Sequence, residues 1–143
     1  MKKIEIASLK VYLTDCQDIP SHLVQTGPKQ FELGINPLVD EKILELYKRE
    51  GKITGNTTDL MQNIIAHELG HFVAFMTRCP THSLTNATTR PITVNGETGV
   101  QVVNPQAEMR AWTLAGRMIG DKLNPQLRDV TTASYVLGKP VTI

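Results

Sequence analysis

The longest helical pattern in the chain runs from about Asp59 to about Arg78, and the rest of the fold must be built around it. Gly55-Asn56-Thr57-Thr58 ahead of it reads as a linker ending in a capping hydroxyl, and Pro80 forbids its continuation. Met61, Ile65, Leu69, Phe72 and Met76 form an apolar stripe, while Ala66, Gly70 and Val73 make a face of smaller residues. Gly70 costs about 1 kcal/mol of helix propensity relative to Ala, so its place mid-helix signals the close approach of another element. Two histidines and a glutamate interrupt this apolar segment as His67-Glu68-Leu69-Gly70-His71.

Residues four apart on an α-helix differ by about 40° in azimuth and about 6 Å in rise, so both imidazoles point into one space. Two neutral imidazole nitrogens are half of a tetrahedral zinc shell. Glu68 sits roughly 100° around the helix from His67, where it can reach a water on the metal without ligating it. A metal lowers the pKa of such a water, the carboxylate accepts its proton, and the hydroxide attacks a polarised carbonyl. The plainer alternative is two incidental polar residues on a partly buried helix.

A catalytic zinc needs a third protein ligand and an open fourth position. Cys79-x-x-His82 has a metal-ligand spacing, but Cys79 lies about 12 Å beyond His71 along a continuing helix, and sharing a metal would require a sharp reversal. Glu97 falls in the tip of a candidate hairpin, where a solvated carboxylate is the default. Glu108 is the best candidate. It lies in the first turns of a helix opened by Asn104-Pro105, and Ala111, Trp112 and Ala115 share its face at helical spacing. Small Ala111 and Ala115 would let that helix pack closely on the Ala66/Gly70 region and deliver Glu108 to the imidazoles. The alternative is a helix-start carboxylate favoured by the macrodipole, worth about 0.3–1 kcal/mol.

Elsewhere the pattern is mixed. Residues 3 to 13 alternate as a strand, with Ile4 and Ile6 on one face and Leu9, Val11 and Leu13 on the other if a bulge near Ser8 resets the register. A turn-rich stretch from Asp15 to Lys29 follows, and then a short apolar run at Phe31-Glu32-Leu33-Gly34-Ile35, punctuated by Asn36-Pro37. Asp40 reads as the N-cap of a helix carrying Ile43, Leu44, Leu46 and Tyr47 and closed by Gly51. Residues 92 to 103 form a hairpin candidate around Asn95-Gly96, and Asn124-Pro125 opens a last helix. The expectation is α+β, one domain spanning residues 1–143, a short mixed sheet with a β-hairpin packed on the central helix, and further helices.

Composition narrows the partners. The 143 residues carry a formal net charge of +1, which removes both the basic footprint of a nucleic-acid binder and the polybasic signature of a membrane-surface protein. No stretch approaches the roughly 18 apolar residues of a membrane span, and the basic N-terminus leads into a strand rather than a signal peptide. Isolated Cys16 and Cys79 read as reduced thiols, so the expected compartment is the cytoplasm.

His67-Glu68-Leu69-Gly70-His71 followed by Glu108-x-x-Ala111-Trp112-x-x-Ala115 resembles the zincin-like, gluzincin-type metallopeptidases, and in particular the small phage and mobile-element proteins of the ImmA/IrrE type. The resemblance covers about residues 58 to 120. It implies zinc bound by His67, His71 and Glu108, Glu68 as base and proton shuttle, and a minimal zincin-like core. It further implies an edge strand that holds a substrate peptide extended; the strand around Phe31 to Ile35 or the 92–103 hairpin could serve. Three departures stand out. Glu108 lies farther after His71 than in large gluzincins, there is no helix-turn-helix region, and no recognisable oxyanion donor follows. Tyr12, Tyr47, Tyr135, Arg90, Arg110 and His82 are all open as transition-state stabilisers. Thr77, where a metzincin carries its third histidine, excludes that group, and Cys16 lacks the Gly-Cys-Leu context of peptide deformylase.

Two functions compete on these residues. One is a zinc-dependent peptidase acting on a narrow protein or peptide target. The other is a non-catalytic, zinc-containing binding or regulatory module of phage type.

Overall fold

The computed structural model describes residues 8–14, 19–77, 89–94, 97–102 and 105–136, with only the backbone described for 89–94, 97–102, 105 and 133–136. The fold is α+β. Three strands come first: β1 (Ser8–Leu13), β2 (His22–Gly27) and β3 (Gln30–Ile35). Helices α1 (Pro37–Arg49) and α2 (Thr57–Met76) follow, then the hairpin β4 (Thr89–Val94) and β5 (Glu97–Val102). Helix α3 (Pro105–Ile119), a 3-10 turn at Gly120–Lys122 and α4 (Pro125–Val136) complete the order. The strands form one mixed sheet in the order β1-β3-β2-β5-β4, parallel only between β1 and β3.

This order corrects one expectation. The strand at Phe31 to Ile35 is bonded on both sides, to β1 and to β2, so it has no free edge to offer an extended peptide. Among the described strands, the edges are β1 and β4 of the hairpin. The hairpin register pairs Val94 with Glu97, as a two-residue connection at Asn95-Gly96 requires; those two residues lie outside the described set. Ile4 and Ile6 also lie outside it. Leu9, Val11 and Leu13 pair with Phe31, Leu33 and Ile35 and so share their face, but only Leu9 reaches the core. Val11 and Leu13 stay 55% and 76% exposed because α2 packs over β2 and β3 and stops short of the edge strand.

Helix starts follow one rule. Asn36-Pro37 does not merely end the strand before it. Asn36 caps α1 by accepting from the Val39 amide (3.3 Å), and Pro37 takes the first turn, where its missing N–H costs nothing. The expected cap, Asp40, is instead a buried first-turn carboxylate. Gly51, at φ 72°, sits just past the end of α1 as anticipated. Helix α2 is likewise capped two residues early, by Asn56, which accepts from the amides of Thr58 and Asp59. Asn124 caps α4 through the Leu127 amide at 3.0 Å; Asn104, the expected cap of α3, lies outside the described residues.

Helix α2 serves two cores at once. Its first half contributes Leu60, Ile64 and Ala66 to a helical core with Leu44, Ile53, Trp112, Ala115 and Leu127. Its second half lays Leu69, Phe72 and Phe75 on Leu23, Phe31 and Leu33 of the sheet. The expected large apolar stripe is therefore only half-buried, and Met76 is exposed; on the small-residue face Val73 is half-buried, while Ala66 and Gly70 are fully covered. What covers Gly70 is α3: a Cβ on Gly70 would lie 3.0 Å from the carbonyl carbon of Ala111 and closer still to its oxygen. Among the described residues no helix is long and apolar enough to cross a membrane.

Gly70→Ala therefore sets a gain of about 1 kcal/mol in helix propensity against a backbone collision. The collision wins, because overpacking without room to relax costs about 1–3 kcal/mol or more. Urea denaturation is expected to find the Gly70→Ala chain less stable than the unaltered one.

Candidate metal centre

One turn of α2 separates His67 from His71, and their rings lie 4.7 Å apart with planes at 71°. The Gly70–Ala111 contact brings α3 close enough for Glu108 to reach both. One carboxylate oxygen of Glu108 is 2.6 Å from Nε2 of His67, and the other is 3.1 Å from Nε2 of His71. Glu108 is 3% exposed, and both histidines are buried. The three donor atoms all lie within 4.8 Å of one another, and they form the one such group of His, Cys, Asp or Glu among the described residues.

The donor set fits a metal ion. Tetrahedral zinc with ligands at about 2.0–2.2 Å holds its donor atoms roughly 3.3 Å apart. The Glu108–His71 pair at 3.1 Å is near that spacing, and the Glu108–His67 pair at 2.6 Å is closer, so the group would open slightly around an ion. Two neutral imidazoles and one carboxylate carry a charge of −1 in a buried place, which a dication compensates. Without a cation, a proton does so. Burial by itself would depress His67, yet the Glu108 and Glu68 carboxylates together outweigh it and push His67 up to about 10. Burial likewise works to raise Glu108, and the two imidazoles overcome it, holding the carboxyl well below the usual range.

Glu68 is buried beside this group and outside it. Its Oε1 lies 3.4 Å from Nδ1 of His67, the ring nitrogen facing away from Glu108. The carboxylate thus flanks the far edge of the His67 ring in this conformation. Asp40 stands behind it: burial raises its carboxyl, the hydroxyl and amide of Ser21 oppose that as donors, and the negative charge of Glu68 raises it further. Ser21 Oγ also accepts from the Asn36 amide at 3.0 Å, which locks the start of β2 to the start of α1.

Trp112, one turn after Glu108, is 1% exposed and stacks on His67 with centroids 4.4 Å apart and planes at 20°. Sequence reasoning placed it on the correct face without assigning this contact, and it missed Asp40 by reading it as a cap. The Asn36-Pro37 start, the same signature used at 104–105 and 124–125, puts Asp40 in the first turn of α1. His22 was also missed. It is buried, its Nδ1 lies 2.8 Å from the Pro20 carbonyl, and its ring fills the space above Gly34.

The remaining candidates among the described residues do not join the group. Tyr47 packs against the helical core with the Lys52 ammonium 5.8 Å over its ring. Tyr12 lies on β1, edge-on to His22. Arg110 sits about 200° around α3 from Glu108. Cys16, Cys79 and His82, and the side chains of Arg90, Glu97 and Tyr135, lie outside the described residues.

The two pKa shifts set the pH response of metal-stripped protein. His67, raised, contributes stability that is fully present below its ordinary value of 6.5 and is lost as pH rises through about 10. Glu108, lowered, contributes stability present above 4.5 and lost as pH falls through its depressed value. Denaturation of metal-free protein across pH is expected to show greatest stability between 4.5 and 6.5. His67→Ala should flatten the alkaline limb and Glu108→Gln the acid limb. Compared with models of protein families, with curated proteins and with solved structures, the chain matches none.

Proposed function

We propose that the chain is a zinc-dependent metallopeptidase that hydrolyses a peptide bond in a narrow protein target. His67, His71 and Glu108 hold the zinc, and Glu68 is the general base and proton shuttle. The observation that carries this reading is Glu108, supplied by a different helix, resting one oxygen on each imidazole of the α2 pair. Three protein donors leave a fourth position for substrate, the arrangement of catalytic rather than structural zinc. A zinc ion held there polarises a carbonyl and lowers the pKa of a water toward neutrality.

Each protein group then has a task. Glu108 neutralises part of the charge and ties α3 to α2. Glu68, outside the donor set, takes a proton from the attacking water on its carboxylate and returns it to the departing amine. Asp40 lies close enough to Glu68 that the Glu68 charge adds to burial in raising the Asp40 carboxyl. The resemblance to phage and mobile-element metallopeptidases supports the same assignment, with the cytoplasm as its setting.

A second reading, a non-catalytic zinc module, is favoured by one observation: His67, Glu68, His71 and Glu108 are all buried. Glu68 separates the two. In a peptidase, Glu68→Gln keeps one zinc per chain and abolishes turnover in an unbiased peptide-cleavage screen, a loss of about 100-fold or more. His67→Ala and Glu108→Ala lose the metal itself. Full cleavage by Glu68→Gln would overturn the mechanism, and full zinc content in Glu108→Ala would overturn the third ligand.

A further inference from the structure

We propose that Trp112 is the positioning residue of this centre: its indole fixes the plane of His67 and thereby sets the metal affinity of the group. The proposal rests on the reading of His67, His71 and Glu108 as metal ligands. His67 is constrained on three sides. The indole covers one ring face, Glu108 meets Nε2, and Glu68 flanks Nδ1. A turn of the ring about its last torsion, which is a soft one, would bring carbon atoms to both carboxylates. The stacked indole resists that turn because a tilted imidazole would have to enter its face.

The indole is in turn immobile. It is 1% exposed and belongs to the helical core with Leu44, Ile53, Leu60, Ile64 and Leu127. Rigidity of an apolar core is thus passed directly to one ligand ring. Simple space-filling does not account for a tryptophan there, since its buried N–H finds no acceptor among the described residues. Leucine or phenylalanine would fill an apolar core without that penalty. What tryptophan adds is a broad flat face against an imidazole, four residues after the glutamate that meets the same ring.

The chain has one tryptophan, which makes the contact observable in the unaltered protein. Its emission is expected to change on zinc titration of metal-stripped protein and to reach its endpoint at one equivalent. Zinc affinity, measured by competition with a chromophoric chelator, should fall about tenfold or more in Trp112→Leu, the range for losing a group that orients a ligand. Trp112→Phe, which keeps a ring face and loses the N–H, should stay near the unaltered chain. Leu127→Ala, a cavity in the same core on α4, should lower the melting temperature and leave affinity unchanged.

A folded Trp112→Leu chain that binds zinc as tightly as the unaltered one would overturn the proposal. So would Trp112→Phe falling as far as Trp112→Leu, or emission indifferent to a zinc ion that binds. The emission titration needs no variant, so it decides the matter even where Trp112→Leu does not fold. An unaltered chain that binds no zinc would instead overturn the ligand assignment itself, a distinct result.

Discussion

Everything at the candidate centre depends on how closely two helices can approach. A glutamate side chain is short, and Glu108 touches two imidazoles on another helix only because Gly70 lets α2 and the Ala111 backbone meet without side chains between them. The small faces of both helices, Ala66 and Gly70 on one and Ala111 and Ala115 on the other, are therefore chemical as well as steric features. They set how far the Glu108 carboxylate reaches toward the two imidazoles. Large apolar residues on those faces would have made an ordinary helix pair and held the carboxylate away.

The same closeness creates an electrostatic problem that shapes the neighbourhood. Four ionisable side chains are buried together, with a fifth, Asp40, behind them. Charges taken out of water are tolerated only when paired and hydrogen-bonded, and each here has a partner: Glu108 the imidazoles, Asp40 the donors of Ser21, and Glu68 the far nitrogen of His67. The formal net charge of the chain is +1, so the molecule as a whole contributes little field at the site. Its electrostatics are local, and a bound dication would be the largest charge in it.

Much of this was legible beforehand because helical geometry is rigid. The His67–His71 spacing fixes a shared direction, and the Glu108/Ala111/Ala115 face fixes what packs on it, so both could be read from periodicity. Two-residue alternation made β1, β3 and the hairpin around Asn95-Gly96 legible, but β2 (His22–Gly27) was missed, because its stretch from Asp15 to Lys29 reads as turn-rich. Strand order was not legible either. Which edges of β3 are filled depends on long-range pairing, and nothing local to Phe31–Ile35 encodes it. Asp40 was misread because a first-turn aspartate and a capping aspartate look alike until the Asn-Pro pair ahead of them is recognised as the start. Trp112 and His22 were unreadable in another sense. Their importance lies in which ring or backbone each one touches, and contact between distant elements leaves no trace in spacing.

The Glu108 contact also has a topological meaning. His67 and Glu108 are 41 residues apart in the chain, so their meeting closes a large loop, and the β4–β5 hairpin lies inside it. The hairpin joins the sheet through β5, whose register with β2 is recorded at Gln25 and Val100. Pinning both ends of the loop shortens the search the hairpin must make to find that pairing. The centre thus acts as a clasp on the loop that carries two of the five strands of the sheet.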